Sequence, residues 1–308
     1  MIGDDFWLLA LINAFAVYLF VPLPLAALLA VIARRRAAWF ALLTVAILFA
    51  ALFGAELTPP SAIVRAGSEG PTLTVMTYNV LFTITDAAPI ATTITNANPD
   101  LIAFQELTPP IAKQLEQTIG ARYPHRTPVR AECHADVSIW SRHPLQVENI
   151  DGNVTCRVRP VVVDLDGRRV RVINIHAWPY LGLDPESVEQ GFDWRRDQVE
   201  LVLDRFAGRP EPLILLGDLN SAPMHEVYRT VSMHLKDSFR EAGWGLGHTF
   251  PTRGGRLRGI PYPDRLVRID YVFHSDHWRA EAARVGKWDG SSDHHPVVAQ
   301  LRLIQTNP

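Results

Sequence analysis

Six short polar runs in this sequence each adjoin an apolar stretch that reads as a β-strand. They are Thr77-Tyr78-Asn79, Gln105-Glu106, Asn174-Ile175-His176, Gly217-Asp218-Leu219-Asn220, Ile269-Asp270-Tyr271 and Ser292-Asp293-His294-His295-Pro296. A strand fixes such a side chain while the adjoining loop exposes it. Taken singly, each run is ordinary: an Asn after a strand is commonly a turn residue, and a lone His commonly packs. Taken together, they supply carboxylates, imidazoles and amides. That set can hold a divalent cation, bind phosphate oxygens and deprotonate water.

The elements that must position these groups follow from apolar patterning. Strands are expected at Leu73–Tyr78, Leu101–Phe104, Val137–Ser141, Val158–Asp164, Val170–His176, Leu213–Gly217, Ile269–His274 and Val297–Leu303. Helices are expected at Ile90–Asn96, Ile111–Ile119 and Asp193–Phe206. The turn at Asp166-Gly167 pairs two strands antiparallel. Strands of both kinds with helices between them point to two packed sheets flanked by helices, not to a doubly wound parallel sheet.

The chain has 308 residues, of which 48% are hydrophobic and 20% charged, so it can build a large core and is not disordered. A formal charge of −2 gives no overall basic excess to attract nucleic acid. The average conceals an asymmetry. Residues 6–33 and 37–55 carry no charge and are separated by Arg34-Arg35-Arg36. Uncharged runs of this length read as membrane helices. The expected organisation is a transmembrane helical hairpin over 1–56 (helices about 6–33 and 37–56), a linker over 57–71 and a domain over 72–308. Three short helices are the alternative, because Pro22 and Pro24 interrupt the first run. The arginines belong on the cytoplasmic side, which carries the domain to the extracytoplasmic side of the cell membrane. There Cys133 and Cys156 could pair, although two free thiols are an equal alternative.

The ordered set TYN, QE, a strand-ending His, GDLN, IDY and SDHxP resembles the endonuclease/exonuclease/phosphatase (DNase I-like) superfamily over about residues 72–303. The hairpin followed by this domain is similar to bacterial membrane-anchored members, the teicoplanin-resistance type among them. The resemblance implies a four-layer α/β sandwich, two mixed sheets with helices outside. It implies a metal-dependent hydrolase acting on phosphoester bonds with Mg²⁺ or Mn²⁺. Glu106 would bind the metal, with Asn79 beside it and Asp293 next to the site. His176 would donate to phosphoryl oxygens, Asp218 would orient or activate water, and Asn220 would hold a phosphate oxygen. His294 would pair with Asp270; Pro296 selects His294 as the motif histidine and leaves His295 as the variable position. Arg142 and Thr249 are weaker matches for contacts to substrate phosphate. The Ala-Trp-Pro that follows His176 departs from the family's usual Leu and marks a substrate-side difference.

The expected substrate is a phosphate ester or pyrophosphate, with a lipid-linked one favoured because the bilayer lies close by. A membrane-tethered nuclease acting on DNA or RNA is the alternative, with the arginines of Arg253–Arg268 as its basic track. A catalytically dead binding module is a third reading, and the presence of every expected site residue argues against it. Trp178, Tyr180, Phe192 and Trp194 either rim the site or simply pack.

Overall fold

The computed structural model describes residues 4, 6–58, 70–130, 132–133, 136–150, 154–179, 184–257, 259–288 and 290–304. Tyr180 and most of the expected linker lie outside the described residues. One sheet contains β1 (Thr72–Asn79), β2 (Leu101–Leu107), β3 (His125–Arg126), β4 (Asp136–Ser141), β13 (Trp278–Val285) and β14 (Val297–Leu303). Its order is β13-β14-β1-β2-β4-β3. The other contains β5 (Leu145–Val147), β6 (Val158–Leu165), β7 (Arg168–His176), β8 (Leu213–Asp218), β9 (Lys236–Asp237) and β12 (Asp270–His274), in the order β5-β6-β7-β8-β12-β9. A small hairpin joins β10 (Gly255–Leu257) to β11 (Ile260–Tyr262).

The inner faces of the two sheets meet over Val75, Leu101, Ile139, Val161, Val172, Leu216 and Val272. The outer face of the first sheet is covered by α4 (Ala88–Ala97) and α5 (Pro109–Ile119). The outer face of the second is covered by α6 (Pro185–Phe206) and α7 (Glu226–His234). A short α8 (Ser238–Ala242) follows β9. The expected four-layer sandwich is therefore present.

The apolar pattern places the start of α6 too late and does not report α7, α8, β13 or the short strands β3, β5, β9, β10 and β11. Helix α6 starts eight residues before the expected Asp193, at Pro185, where the Asp184 carboxylate caps the Ser187 N–H at 2.9 Å. Its first two turns are largely polar, so apolar periodicity does not report them. Strand β13 (WRAEAARV) has a bulge between Ala280 and Ala282 and lies at a sheet edge. Alanine and exposed charge give it a weak strand signal.

Register decides where the polar runs go. β1 and β2 are parallel, with Asn79 opposite Gln105. β7 and β8 are parallel, with His176 opposite Asp218. β12 runs antiparallel to β8 with Asp270 opposite Asp218. All these residues therefore emerge at the same end of the sandwich. Just beneath them, Gln105 Nε2 donates to Asn174 Oδ1 at 2.6 Å, and Asn174 Nδ2 donates to the carbonyls of Phe104 and Ser138 at 2.7 and 3.0 Å. This buried amide network fastens one sheet to the other directly below the site.

The N-terminal region has more pieces than a simple hairpin. Helix α1 (Trp7–Ala14) is followed by a 3-10 turn (Ala16–Phe20), then α2 (Leu23–Ala33) and α3 (Arg36–Leu57). The break falls at Val21-Pro22, where proline removes a backbone donor. Ala16–Ala33 and Arg36–Leu57 are long and apolar enough to cross a membrane and are almost entirely unburied. Phe20 packs against Phe49 and Phe53 with ring centroids 5.2 and 5.8 Å apart, closing the 3-10 turn against α3.

Candidate active site

Glu106 and Asn220 both have left-handed backbone, with φ of 57° and 47°. Conformations that non-glycine residues disfavour persist only where the surroundings enforce them. Glu106 sits at the irregularity that breaks the β2–β4 ladder between Phe104 and Leu107, which turns its carboxylate out of the strand. Its Oε2 accepts the Phe82 N–H at 3.0 Å. Asn220 follows Asp218, whose Oδ1 accepts the Asn220 N–H at 2.7 Å. Gly217 (φ 148°) is required for the approach to β7, since a Cβ there would lie 1.8 Å from the Ile175 carbonyl oxygen. The Gly-Asp-Leu-Asn run is thus a close-packed strand end that aims Asp218.

The Asn79 amide nitrogen donates to Glu106 Oε1 and to Asp218 Oδ2, both at 3.1 Å, while its oxygen accepts the Leu81 N–H at 3.1 Å. Asn79 therefore braces two carboxylates with its NH₂ group. His176 Nε2 lies 3.8 Å from both Glu106 Oε1 and Asp218 Oδ2, and His294 Nε2 lies 3.8 Å from the same Asp218 oxygen. These separations are too long for hydrogen bonds. They suit groups that surround one small ligand. His294 Nδ1 donates to Asp270 Oδ2 at 2.9 Å.

The two imidazoles differ electrically. Burial, then the nearby Arg157 and His294 cations, push His176 well below the ordinary histidine value, so it is neutral. Burial alone would also depress His294, but Asp270, Asp218 and Asp293 overcome it and raise His294 to about 10, so it is charged. Burial, together with the Asp270 charge, raises Asp218 to about 7, against the opposing pull of His294. Burial and then the Glu106 charge raise Asp293.

Asp218, Asp270 and His294 bring three ligand-type atoms within 4.8 Å of one another. A charged imidazole whose Nδ1–H is committed to Asp270 is a poor metal ligand, so this trio reads as an acid–imidazole pair aimed at Asp218. Glu106 and Asp293, whose charges act on one another, offer the hard carboxylate oxygens that a divalent cation takes.

The remaining expected residues separate clearly. Buried Thr249 accepts the Ile269 and Asp270 N–H groups at 3.2 and 3.3 Å, which sets the backbone carrying Asp270. The Asn220 amide donates to the Ala177 carbonyl at 3.0 Å. Arg142 is not at the site. It lies beside Asp100 at the start of β2, with Nη1 donating to the Asp100 carboxylate at 3.0 Å. The ladder places that start at the opposite end of the strand from Glu106.

One residue was missed. Arg157 has Glu106 and Asp218 as its charged neighbours, and its guanidinium stacks 4.1 Å over the Trp178 ring. Its carbonyl accepts the His176 N–H at 2.8 Å. It follows Cys156, which forms a disulfide with Cys133, the Cα atoms being 5.5 Å apart. The pairing left open in the sequence is thus made, and it helps fix the segment that presents Arg157. The proximity of Cys156 to Arg157 was the one visible cue.

The sequence model of the Endonuclease/Exonuclease/phosphatase family matches residues 76–294. The chain belongs to that family. An endonuclease/exonuclease/phosphatase family protein of Bacteroides thetaiotaomicron superposes with TM-score 0.58 at 19% identity, covering 77% of this chain and all (100%) of that one. Sphingomyelinase C of Streptomyces griseocarneus gives 0.53 at 22% identity over 75% of this chain and 99% of its own. A Staphylococcus aureus beta toxin gives 0.55 at 17% identity over 75% and 99%. No curated protein matches the chain. Endonuclease, exonuclease and phosphatase activities all hydrolyse a phosphoester bond, and this member of the family is a hydrolase of that class.

Proposed function

We propose a membrane-anchored, divalent-metal-dependent phosphoesterase that cleaves a phosphate ester or pyrophosphate carried by a lipid. The observation that carries this reading is the convergence on Asp218. Its Oδ2 accepts from Asn79 and faces the Nε2 atoms of His176 and His294 equally at 3.8 Å.

Glu106 and Asp293 would hold Mg²⁺ or Mn²⁺, which when bound supplies positive charge to a phosphoryl oxygen. Asn79 keeps the Glu106 and Asp218 carboxylates in place. Neutral His176 donates a hydrogen bond to an equatorial phosphoryl oxygen. Charged His294, held by Asp270, and the Arg157 guanidinium offset charge that builds on the others. Asp218 orients the attacking water and takes its proton. Asn220, pinned to Ala177, lies where a phosphate oxygen can receive its amide.

Several features support the membrane and the outer face. The two long apolar helices are almost entirely unburied. Arg34-Arg35-Arg36 stands at their connecting turn, where positive charge marks the cytoplasmic side. The Cys133–Cys156 disulfide suits an oxidising compartment. The basic track that a nuclease would need loses one arginine to the core, while Arg253, Arg256 and Arg265 stay exposed. Arg268 is buried against Asp237 at 2.6 Å, and Arg253 stacks over Trp288.

The test uses the full chain in phospholipid vesicles with Mg²⁺ or Mn²⁺. It follows release from lipid phosphoesters and pyrophosphates beside nicking of plasmid DNA, with Glu106→Gln as control. Lipid turnover that vanishes in Glu106→Gln is expected. Plasmid nicking without lipid turnover would replace this reading with the nuclease.

A further inference from the structure

The N-terminal helix is clamped to the domain. Asp4 is buried, and its Oδ2 accepts the Glu226 N–H at 2.5 Å at the start of α7. Its Oδ1 accepts from Asn13 Nδ2 at 2.6 Å. The Trp7 N–H donates to Glu189 on α6 at 3.3 Å. Buried His225 makes the central link. Its Nδ1 accepts the Ala222 N–H at 2.9 Å, so the ring proton lies on Nε2, which donates to the Ala10 carbonyl at 2.9 Å. Burial holds this imidazole neutral, as that arrangement requires. One ring therefore ties α1 to the segment that leaves Asp218 and Asn220.

Further along, the Tyr18 hydroxyl donates to the Leu266 carbonyl at 2.8 Å. The next carbonyl, that of Val267, accepts the Thr249 N–H at 2.9 Å, and Thr249 sets Asp270. At the end of α3, the Glu56 carbonyl accepts the Gly245 N–H at 2.9 Å, and the Trp244 indole donates to Leu57 at 3.2 Å. The anchor therefore bonds to segments that adjoin the active-site residues.

Helix α1 has eight residues, about 12 Å, too short to cross a bilayer. Ala10 faces the domain at 1% exposure, while Phe6, Leu8, Leu11 and Ile12 are all more than two-fifths exposed. Leu8, Leu11 and Ile12 share one helical face. That face carries no charge, and the chain runs on from it through the 3-10 turn into the unburied apolar α2 and α3.

We infer that α1 is an interfacial helix, its exposed apolar face lying in the lipid surface that α2 and α3 enter, and that it holds the active-site end of the domain against that surface so that the enzyme acts on bilayer-borne phosphoesters. The substrate part of this inference rests on the lipid reading above; the position of the helix does not. A clamped domain differs from one on a free tether. The tether only raises local substrate concentration, whereas the clamp also fixes the height and orientation of the site.

The test compares two phosphodiesters with one leaving group, methyl and hexadecyl p-nitrophenyl phosphate. Both are given to the full chain in phosphatidylcholine–phosphatidylglycerol vesicles. In the double variant Leu8→Gln/Leu11→Gln, turnover of the hexadecyl ester is expected to fall about tenfold, with the methyl ester within about twofold. Equal losses on both esters, or none on either, would overturn the surface-positioning role. A second readout is independent of activity. Leu11→Cys is labelled with an environment-sensitive dye, the native cysteines being paired. Blue-shifted emission quenched by brominated lipid is expected, and water-like emission would overturn the interfacial helix. Plasmid nicking with no hydrolysis of either ester would remove the lipid substrate while the dye still reports on the helix.

Discussion

The two ends of the sandwich use the same residue types in opposite ways. At the far end, charges are matched. Arg171 is buried between Glu148 and Glu211 at 2.7 and 2.9 Å, Arg142 meets Asp100 at 3.0 Å, and Arg302 forks onto Glu281. At the active-site end, Glu106, Asp218, Asp270 and Asp293 converge with two imidazoles and one guanidinium around a common space. Pairing at the far end stabilises the fold. Crowding at the near end leaves carboxylates disposed for a cation and for the charge that builds on a phosphoryl group. Stability and chemistry are thus separated along a strand of six to nine residues.

That contrast can be broken by substitution at either end. The largest effect is expected from His294→Ala, a loss of about a thousandfold in kcat with little change in Tm. Asp270→Asn should cost about tenfold less, since Asp270 acts through the imidazole. Steady-state rates beside thermal melts check both, and equal or reversed losses would reject the orienting role of Asp270.

At the far end the pattern should invert. Arg171→Leu is expected to cost roughly 2 kcal/mol of stability by loss of its charged hydrogen bonds, with kcat within about twofold. The partners Glu148 and Glu211 are both held below the ordinary glutamate value of 4.5 by the Arg171 hydrogen bonds. A depressed carboxylate contributes stability above its unfolded value and loses it as pH falls through the folded one. The gap between wild type and Arg171→Leu should therefore be full at pH 7 and narrow below about pH 4.5. Denaturant melts across pH would show it, and a constant gap would mean that the ion pairs contribute nothing. The smallest effect belongs to Arg142→Ala. Activity within about twofold and a stability loss of no more than about 1 kcal/mol are expected for a partly exposed pair. A hundredfold activity loss would return Arg142 to the substrate.

Much of the site was legible because strand-end residues are local. Glu106, His176, Asp218, Asn220, Asp270 and His294 each adjoin an apolar run, and an eight-residue window suffices to notice each one. Arg142 misled for the same reason: it too follows a strand, but β4 runs antiparallel to β2, and its exit is at the wrong end. Direction within a sheet is not a local property. Arg157 was invisible because it precedes its strand and enters the site through the pairing of β6 with β7.

The sequence by itself determined the layers, the membrane-length apolar segments and the residue types of the chemistry, since periodicity, length and motif order depend on neighbours along the chain. Only the tertiary structure decided which strand ends face together, which arginine stands at the site and that Cys133 pairs with Cys156. It also decided that residues 6–33 divide into a docked α1 and a separate α2. Those outcomes depend on contacts between residues as far apart as Ala10 and His225. Such contacts form only once the sheets and their register have brought the partners into reach.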